Sequence, residues 1–97
     1  MTDLRVVAEI IAKDGSEDAI RSALSTLVTA TLEEEGCVAY ELFESNAKPG
    51  TFFTIETWRS QADLDAHMTS EHIATAFAAA GDHVASAPSI HPLSPVN

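Results

Sequence analysis

A chain of 97 residues with 45% hydrophobic content builds one domain over residues 1–97 and leaves no room for a second. Fifteen acidic residues against five Lys and Arg give a formal charge of −10, and the cations are scattered, so the surface repels phosphate backbones and nucleic acid is not an expected partner. No apolar run approaches the roughly 18 to 20 residues of a membrane span, Met1–Arg5 lacks a signal-peptide pattern, and the single Cys37 has no partner for an internal disulfide; a cytoplasmic protein without a membrane partner is expected.

Leu4 to Lys13 alternates, with Leu4, Val6, Ala8, Ile10 and Ala12 on one face and Arg5, Val7, Glu9, Ile11 and Lys13 on the other. Asp14-Gly15-Ser16 turns the chain and offers an N-cap, with Glu17 and Asp18 suited to a first helical turn. Ile20, Leu24, Leu27, Val28 and Leu32 recur at helical spacing, and Gly36 is the expected helix stop. The run Glu33-Glu34-Glu35 reads as a solvated helix end, at a terminus where the helix dipole disfavours anions. Nothing in the sequence explains that placement.

Cys37 to Glu44 is the second predicted strand, with Val38, Tyr40 and Leu42 opposite Cys37, Ala39, Glu41 and Phe43. Asn46 to Gly50 is a turn by composition, because Pro presets one dihedral and Gly admits the reversed one. Thr51 to Trp58 then pairs back as an antiparallel strand and carries Glu56 and Trp58 on one face. Ser60 to Asp63 resembles a capping box and opens a short helix to about Met68. Thr69-Ser70-Glu71 caps a further helix through Ile73, Ala74, Phe77 and Ala78 to Gly81. Ala87 to Leu93 is a last strand, which its two prolines confine to an edge.

The order β-α-β-β-α-α-β predicts an α+β, ferredoxin-like arrangement of one antiparallel sheet with its helices on one face. The first three strands carry apolar residues on both faces, so a second surface is needed, and a homodimer that stacks two sheets supplies it.

Several segments together resemble a known family. They are Val6-Val7-Ala8-Glu9-Ile10, Glu34-Glu35-Gly36-Cys37-Val38-Ala39-Tyr40-Glu41, Ile55-Glu56-Thr57-Trp58, and Ala66-His67 with His72 and Phe77. From about Val6 to Pro92 the chain is similar to the antibiotic biosynthesis monooxygenase domain, which includes quinol monooxygenases. The resemblance implies a dimeric α+β barrel and the oxidation of a quinol-like or polycyclic phenolic compound by O2, with no metal or flavin cofactor. A deprotonated phenol of this kind is electron-rich enough to reduce O2 itself, so the protein must bind it, take a proton and exclude water.

On that footing His67 and His72 are the expected catalytic residues, and Tyr40, Glu56, Trp58 and Phe77 the expected substrate-binding ones. Each also has a plainer role. His67 suits a partly buried histidine, His72 a surface one, and Trp58, Tyr40 and Phe77 suit the core. A buried Glu56 needs a partner, for which Arg5 and Arg59 are the candidates. No metal site is expected, because His67 and His72 are five residues apart rather than the four that align two ligands on one helix face. The related haem-degrading branch places an Asn, a Trp and a haem-ligating His where this chain has Ala8, His67 and Phe77, so haem is not expected either. A non-catalytic dimeric module that sequesters a small apolar ligand is the alternative, since fold and pocket do not establish turnover.

Overall fold

Strict alternation in the first segment builds β1 (Leu4–Ile11) and sends Val6, Ala8 and Ile10 into the interior together. The computed structural model describes residues 3–97. After β1 come α1 (Glu17–Thr31), β2 (Cys37–Glu44), β3 (Thr51–Trp58), α2 (Gln61–Met68), α3 (Glu71–Ala80), a 3-10 turn (Gly81–His83) and β4 (Ser89–Leu93). The strands form one antiparallel sheet in the order β2-β3-β1-β4, the ferredoxin-like arrangement that the element order predicts. β4 is an edge strand, so the missing N–H of Pro92 is tolerated.

Helix α1 buries Ile20, Leu24, Leu27 and Thr31, and α3 buries Ile73, Ala76 and Ala80. Apart from Thr31, these side chains close over Ala8, Ile10 and Phe52 as the main core. Burial of a side chain such as Phe52 or Ile20 stabilises the fold by about 1.5–3 kcal/mol. A second cluster of Val6, Tyr40, Trp58 and Leu64 lies at the sheet end where Leu4 and Cys37 both pair with Trp58.

Three local expectations are corrected. Helix α1 ends at Thr31, five residues before Gly36, and Gly36 is not a left-handed cap; the positive-φ glycines are Gly15 (86°) and Gly50 (89°), each in a turn. The strand register slips between Cys37 and Ala39, so Val38 is bulged outward and Cys37 joins Tyr40 on the helix-covered face. Ser16 occupies the N-cap of α1, but its hydroxyl bonds His83 Nδ1 at 2.9 Å instead of capping the helix. The caps of α2 and α3 form as expected: Ser60 accepts from the Asp63 N–H and Ser70 from the Ile73 N–H.

The other face of the sheet carries no helix. It presents Val7, Ile11, Phe53 and Ile55 half-buried and Phe43 and Leu93 exposed, among Arg5, Glu9, Glu41 and His91. Among the described residues no helix is long and apolar enough to cross a membrane.

Candidate functional site

The break between α2 and α3 sets the geometry of the site. Ser70 closes the last turn of α2, where its hydroxyl donates to the His67 carbonyl at 2.6 Å, and then caps α3. Two helices meeting there carry His67 and His72 on separate axes, so the spacing of a continuous helix does not apply to them. Both imidazoles reach one oxygen of Glu34. His67 Nδ1 lies 2.5 Å and His72 Nε2 2.7 Å from Glu34 Oε2. A carboxylate only accepts, so each of these nitrogens carries the hydrogen, and a neutral His67 keeps its lone pair on Nε2.

Glu34 is the residue that the sequence analysis left as part of a solvated helix end. It lies beyond α1 in the turns leading to β2, and its side chain is 18% exposed. Gly36 brings this turn against α2. Its surroundings are crowded: a Cβ on Gly36 would fall 2.2 Å from Asp63 Cγ, and the Gly36 carbonyl accepts from the Arg59 N–H at 2.9 Å. Close approach, not a left-handed backbone, is why glycine stands there. A signal existed in the unexplained acidic run beside Gly36, but sequence does not say which of three glutamates turns inward.

Aromatic rings hold His67 from behind. Its ring centroid is 4.6 Å from that of Trp58 and 5.5 Å from that of Tyr40, and its side chain is 2% exposed. His72 follows at 5.7 Å and is 26% exposed, so the pair runs from the interior to the surface.

Glu56 is buried, and its partners correct the expectation of an arginine. Thr54 Oγ1 donates to Oε2 at 2.6 Å and Trp58 Nε1 donates to Oε1 at 2.8 Å. Arg59 instead forks onto Asp63 at 2.9 and 3.0 Å, and Arg5 is exposed. Period-2 alternation makes the triad Thr54, Glu56, Trp58 a local consequence of β3, because all three point to one face.

A cavity of about 30 Å³ lies between the sheet and α1 and α3, room for a water molecule but not for an aromatic ring. Tyr40, Glu56, His67 and Phe77 line it, together with apolar residues such as Leu24, Ile73 and Ile90. Phe77, 44% exposed, stands at its rim. Trp58 and His72 are not on its wall: Trp58 backs His67 and holds Glu56, while His72 lines a larger open groove of about 590 Å³ between α1 and α3. That groove is walled mainly by Ala, Ser and Thr and does not include His67.

Burial, with the Glu56 carboxylate next in weight, pushes the Tyr40 hydroxyl well above the usual tyrosine range. Burial, then Glu34 and Glu56, pushes the Cys37 thiol up to about 11. Both groups therefore stay protonated at neutral pH, and Cys37 is a poor nucleophile. Glu34, His67 and His72 each offer one donor atom within 4.8 Å of the others, a set of two imidazoles and a carboxylate that suits a metal ion.

Fold and site together define a ferredoxin-like α+β domain that brings polar side chains to a small, mostly apolar pocket between sheet and helices. The chain belongs to the antibiotic biosynthesis monooxygenase family, whose family model matches residues 3–79. Among its relatives, Rv0793 of Mycobacterium tuberculosis, which bears a provisional monooxygenase name, is 36% identical over 67 residues. That match spans 69% of this chain and 65% of Rv0793, a little under two thirds of the relative's length. YgiN of Escherichia coli, named a probable quinol monooxygenase, is 34% identical over 81 residues, covering 72% of this chain and 77% of YgiN. The solved structure of PA3566 from Pseudomonas aeruginosa superposes with a TM-score of 0.91 at 28% identity, over 100% of this chain and 97% of that one. The structure of Rv0793 gives 0.89 at 28% identity, over 99% and 97%.

Proposed function

We propose that this protein is a cofactor-independent monooxygenase that oxidises a quinol-like or polycyclic phenolic compound with O2. The observation that carries the reading is the Glu34–His67 hydrogen bond: it places the proton on Nδ1 and leaves the Nε2 lone pair of a residue that lines the cavity. A carboxylate that orients an imidazole in this way makes it a general base. His67 takes the phenolic proton, and the phenolate then delivers electrons to O2. One oxygen atom enters the substrate and the other leaves as water, with all four electrons supplied by the substrate. His72 steadies Glu34 from the solvent side. Tyr40, which stays protonated, is a hydrogen-bond donor for the substrate oxygen, and Glu56 sets the polarity of the inner wall.

Substrate entry requires the small cavity to open. Phe77 and the β4-side residues Pro88 and Ile90 form the rim that has to move, and the exposed ring of Phe77 is the part least held by packing. Names carried by YgiN and Rv0793 support the reaction class for this chain.

The same reading includes a homodimer that stacks the uncovered sheet faces, because Phe43, Phe53, Ile55 and Leu93 form an apolar surface no helix of the chain reaches. Oxygen uptake with a panel of reduced quinones and anthrones tests the activity. Uptake with substrate-dependent saturation is expected; ligand binding without uptake across the panel replaces the enzyme with a binding module. Light scattering at micromolar concentration tests the dimer, and a stable monomer overturns it.

A further inference from the structure

We infer that Glu34, His67 and His72 form a binding site for a divalent cation of the zinc class, and that its occupation switches off His67 as a base. Three elements contribute one donor each: the turn after α1, the last turn of α2 and the first turn of α3. The donors are already assembled: Trp58 and Tyr40 pack against the His67 ring, Ser70 fixes the helix break, and both imidazoles bond Glu34. Two imidazole nitrogens and a carboxylate oxygen, with one side open to solvent, are a donor set that zinc takes readily.

Charge favours the ion. Glu34 pairs with no Lys or Arg among the described residues; its partners are the two imidazoles. The protein as a whole carries a formal charge of −10, which raises the local concentration of cations. Access is also provided, because His72 lines the open groove between α1 and α3. Donors around zinc with bonds of about 2.0–2.1 Å stand roughly 3 Å or more apart. In a tetrahedron that separation is about 3.3 Å; the present separations from Glu34 Oε2 are 2.5 and 2.7 Å, so the carboxylate and the imidazoles have to draw apart by roughly 0.6–0.9 Å for a metal to replace the two hydrogens.

The consequence for chemistry follows from the tautomer and rests on the proposed role of His67. Metal on Nδ1 moves the imidazole proton to Nε2, which turns the acceptor that the proposed mechanism uses into a donor. Zinc and substrate proton then compete for one ring.

Titration of chelator-treated, full-length protein with Zn2+ against a chromophoric chelator decides the site without reference to activity. One zinc per chain is expected, with affinity weakened about 10- to 100-fold or more in Glu34→Gln and in His72→Ala. His91→Ala, on the uncovered sheet face, is expected to bind as the parent does. Circular dichroism of the metal-free variants establishes that they are folded, and His72→Ala, altered at a partly exposed position, serves if Glu34→Gln is not. No stoichiometric uptake, or uptake unchanged in both variants, overturns the site. Where oxygen uptake is measurable, stoichiometric zinc is expected to suppress it and chelator to restore it; uptake undiminished at saturating zinc overturns the switch while the titration still stands for the site.

Discussion

Glu34 Oε2 lies 2.5 Å from His67 Nδ1 across 33 residues of sequence, and this contact ties the turn after α1 to the last turn of α2. It turns a buried imidazole into a directed one. Without Glu34 the ring could carry its proton on either nitrogen, and only one of the two tautomers leaves an acceptor on Nε2.

Removing the base and removing its orientation are expected to differ in kind. His67→Ala should lower kcat by about 10²–10⁴-fold. Glu34→Gln keeps the size but presents an amide that favours the wrong tautomer, and a loss of about 10²-fold or more is expected. His72→Ala, off the cavity wall, should lose less than either. Steady-state oxygen uptake on a substrate from the panel measures all three; equal kcat for Glu34→Gln and parent removes the orienting role.

The same substitution at two buried threonines should destabilise at one and not at the other. Thr54 donates to the buried Glu56, so Thr54→Val strips a partner from a carboxylate and should cost about 1–3 kcal/mol. Thr31 Oγ1 is buried with no hydrogen-bond partner among the described residues, so Thr31→Val should be neutral or stabilise by up to about 1 kcal/mol. Urea unfolding at pH 7 compares them, and shifts of the same sign and size would contradict the pairing scheme.

Gly36→Ala puts a methyl group against the Asp63 side chain, which accepts from the hydroxyl of Ser60, the N-cap of α2, and pairs with Arg59. A destabilisation of about 1–3 kcal/mol is expected from the overpacking. In an Asp63→Ala background the added cost should shrink in part, because the conflicting Cγ and Oδ1 are gone while the Cβ at 2.4 Å remains. A double-mutant cycle by thermal or urea unfolding measures this, and strict additivity would mean that Gly36 is needed for another reason.

Stability should fall on the alkaline side. Tyr40 and Cys37 hold their protons more tightly in the folded protein than in the unfolded chain, Cys37 to about 11 and Tyr40 higher still. The unfolded state therefore loses protons first as pH rises. Their contribution is fully present below the ordinary cysteine and tyrosine values and declines as pH rises towards the folded ones. The urea midpoint should drop from about pH 8.5 upwards, and Tyr40→Phe should flatten that drop; a midpoint constant to pH 10.5 would contradict it. Alkylation of Cys37 at pH 8 should likewise be slower in the folded protein than in urea.

Local chemistry made much of this fold legible in advance. Alternation in Leu4–Ile11 and Thr51–Trp58, the caps at Ser60 and Ser70, and the apolar stripe of α1 each depend on neighbours within a few residues, so their positions follow from spacing. The shared face of Glu56 and Trp58 is of the same kind, and it places a donor beside an acceptor two residues away. The family could be recognised for a related reason, because short segments of fixed spacing carry the resemblance and residues 3–79 match it.

What spacing does not carry is contact between distant segments. Glu33, Glu34 and Glu35 are chemically alike, and only the packing of their turn against α2 and α3 brings Glu34 to His67 and His72. The expected break near Ser70 separates those histidines onto two helices, but their spacing does not say how the two helices are set; packing turns both rings onto one oxygen. Trp58 and His72 left the expected pocket wall for the same reason, since the side a residue faces is set along a strand or helix but the surface it meets is set by packing across the core. Hydrogen-bond periodicity acts over a few residues, whereas the burial of apolar surface acts between whole elements, and the site of this protein is a product of the second.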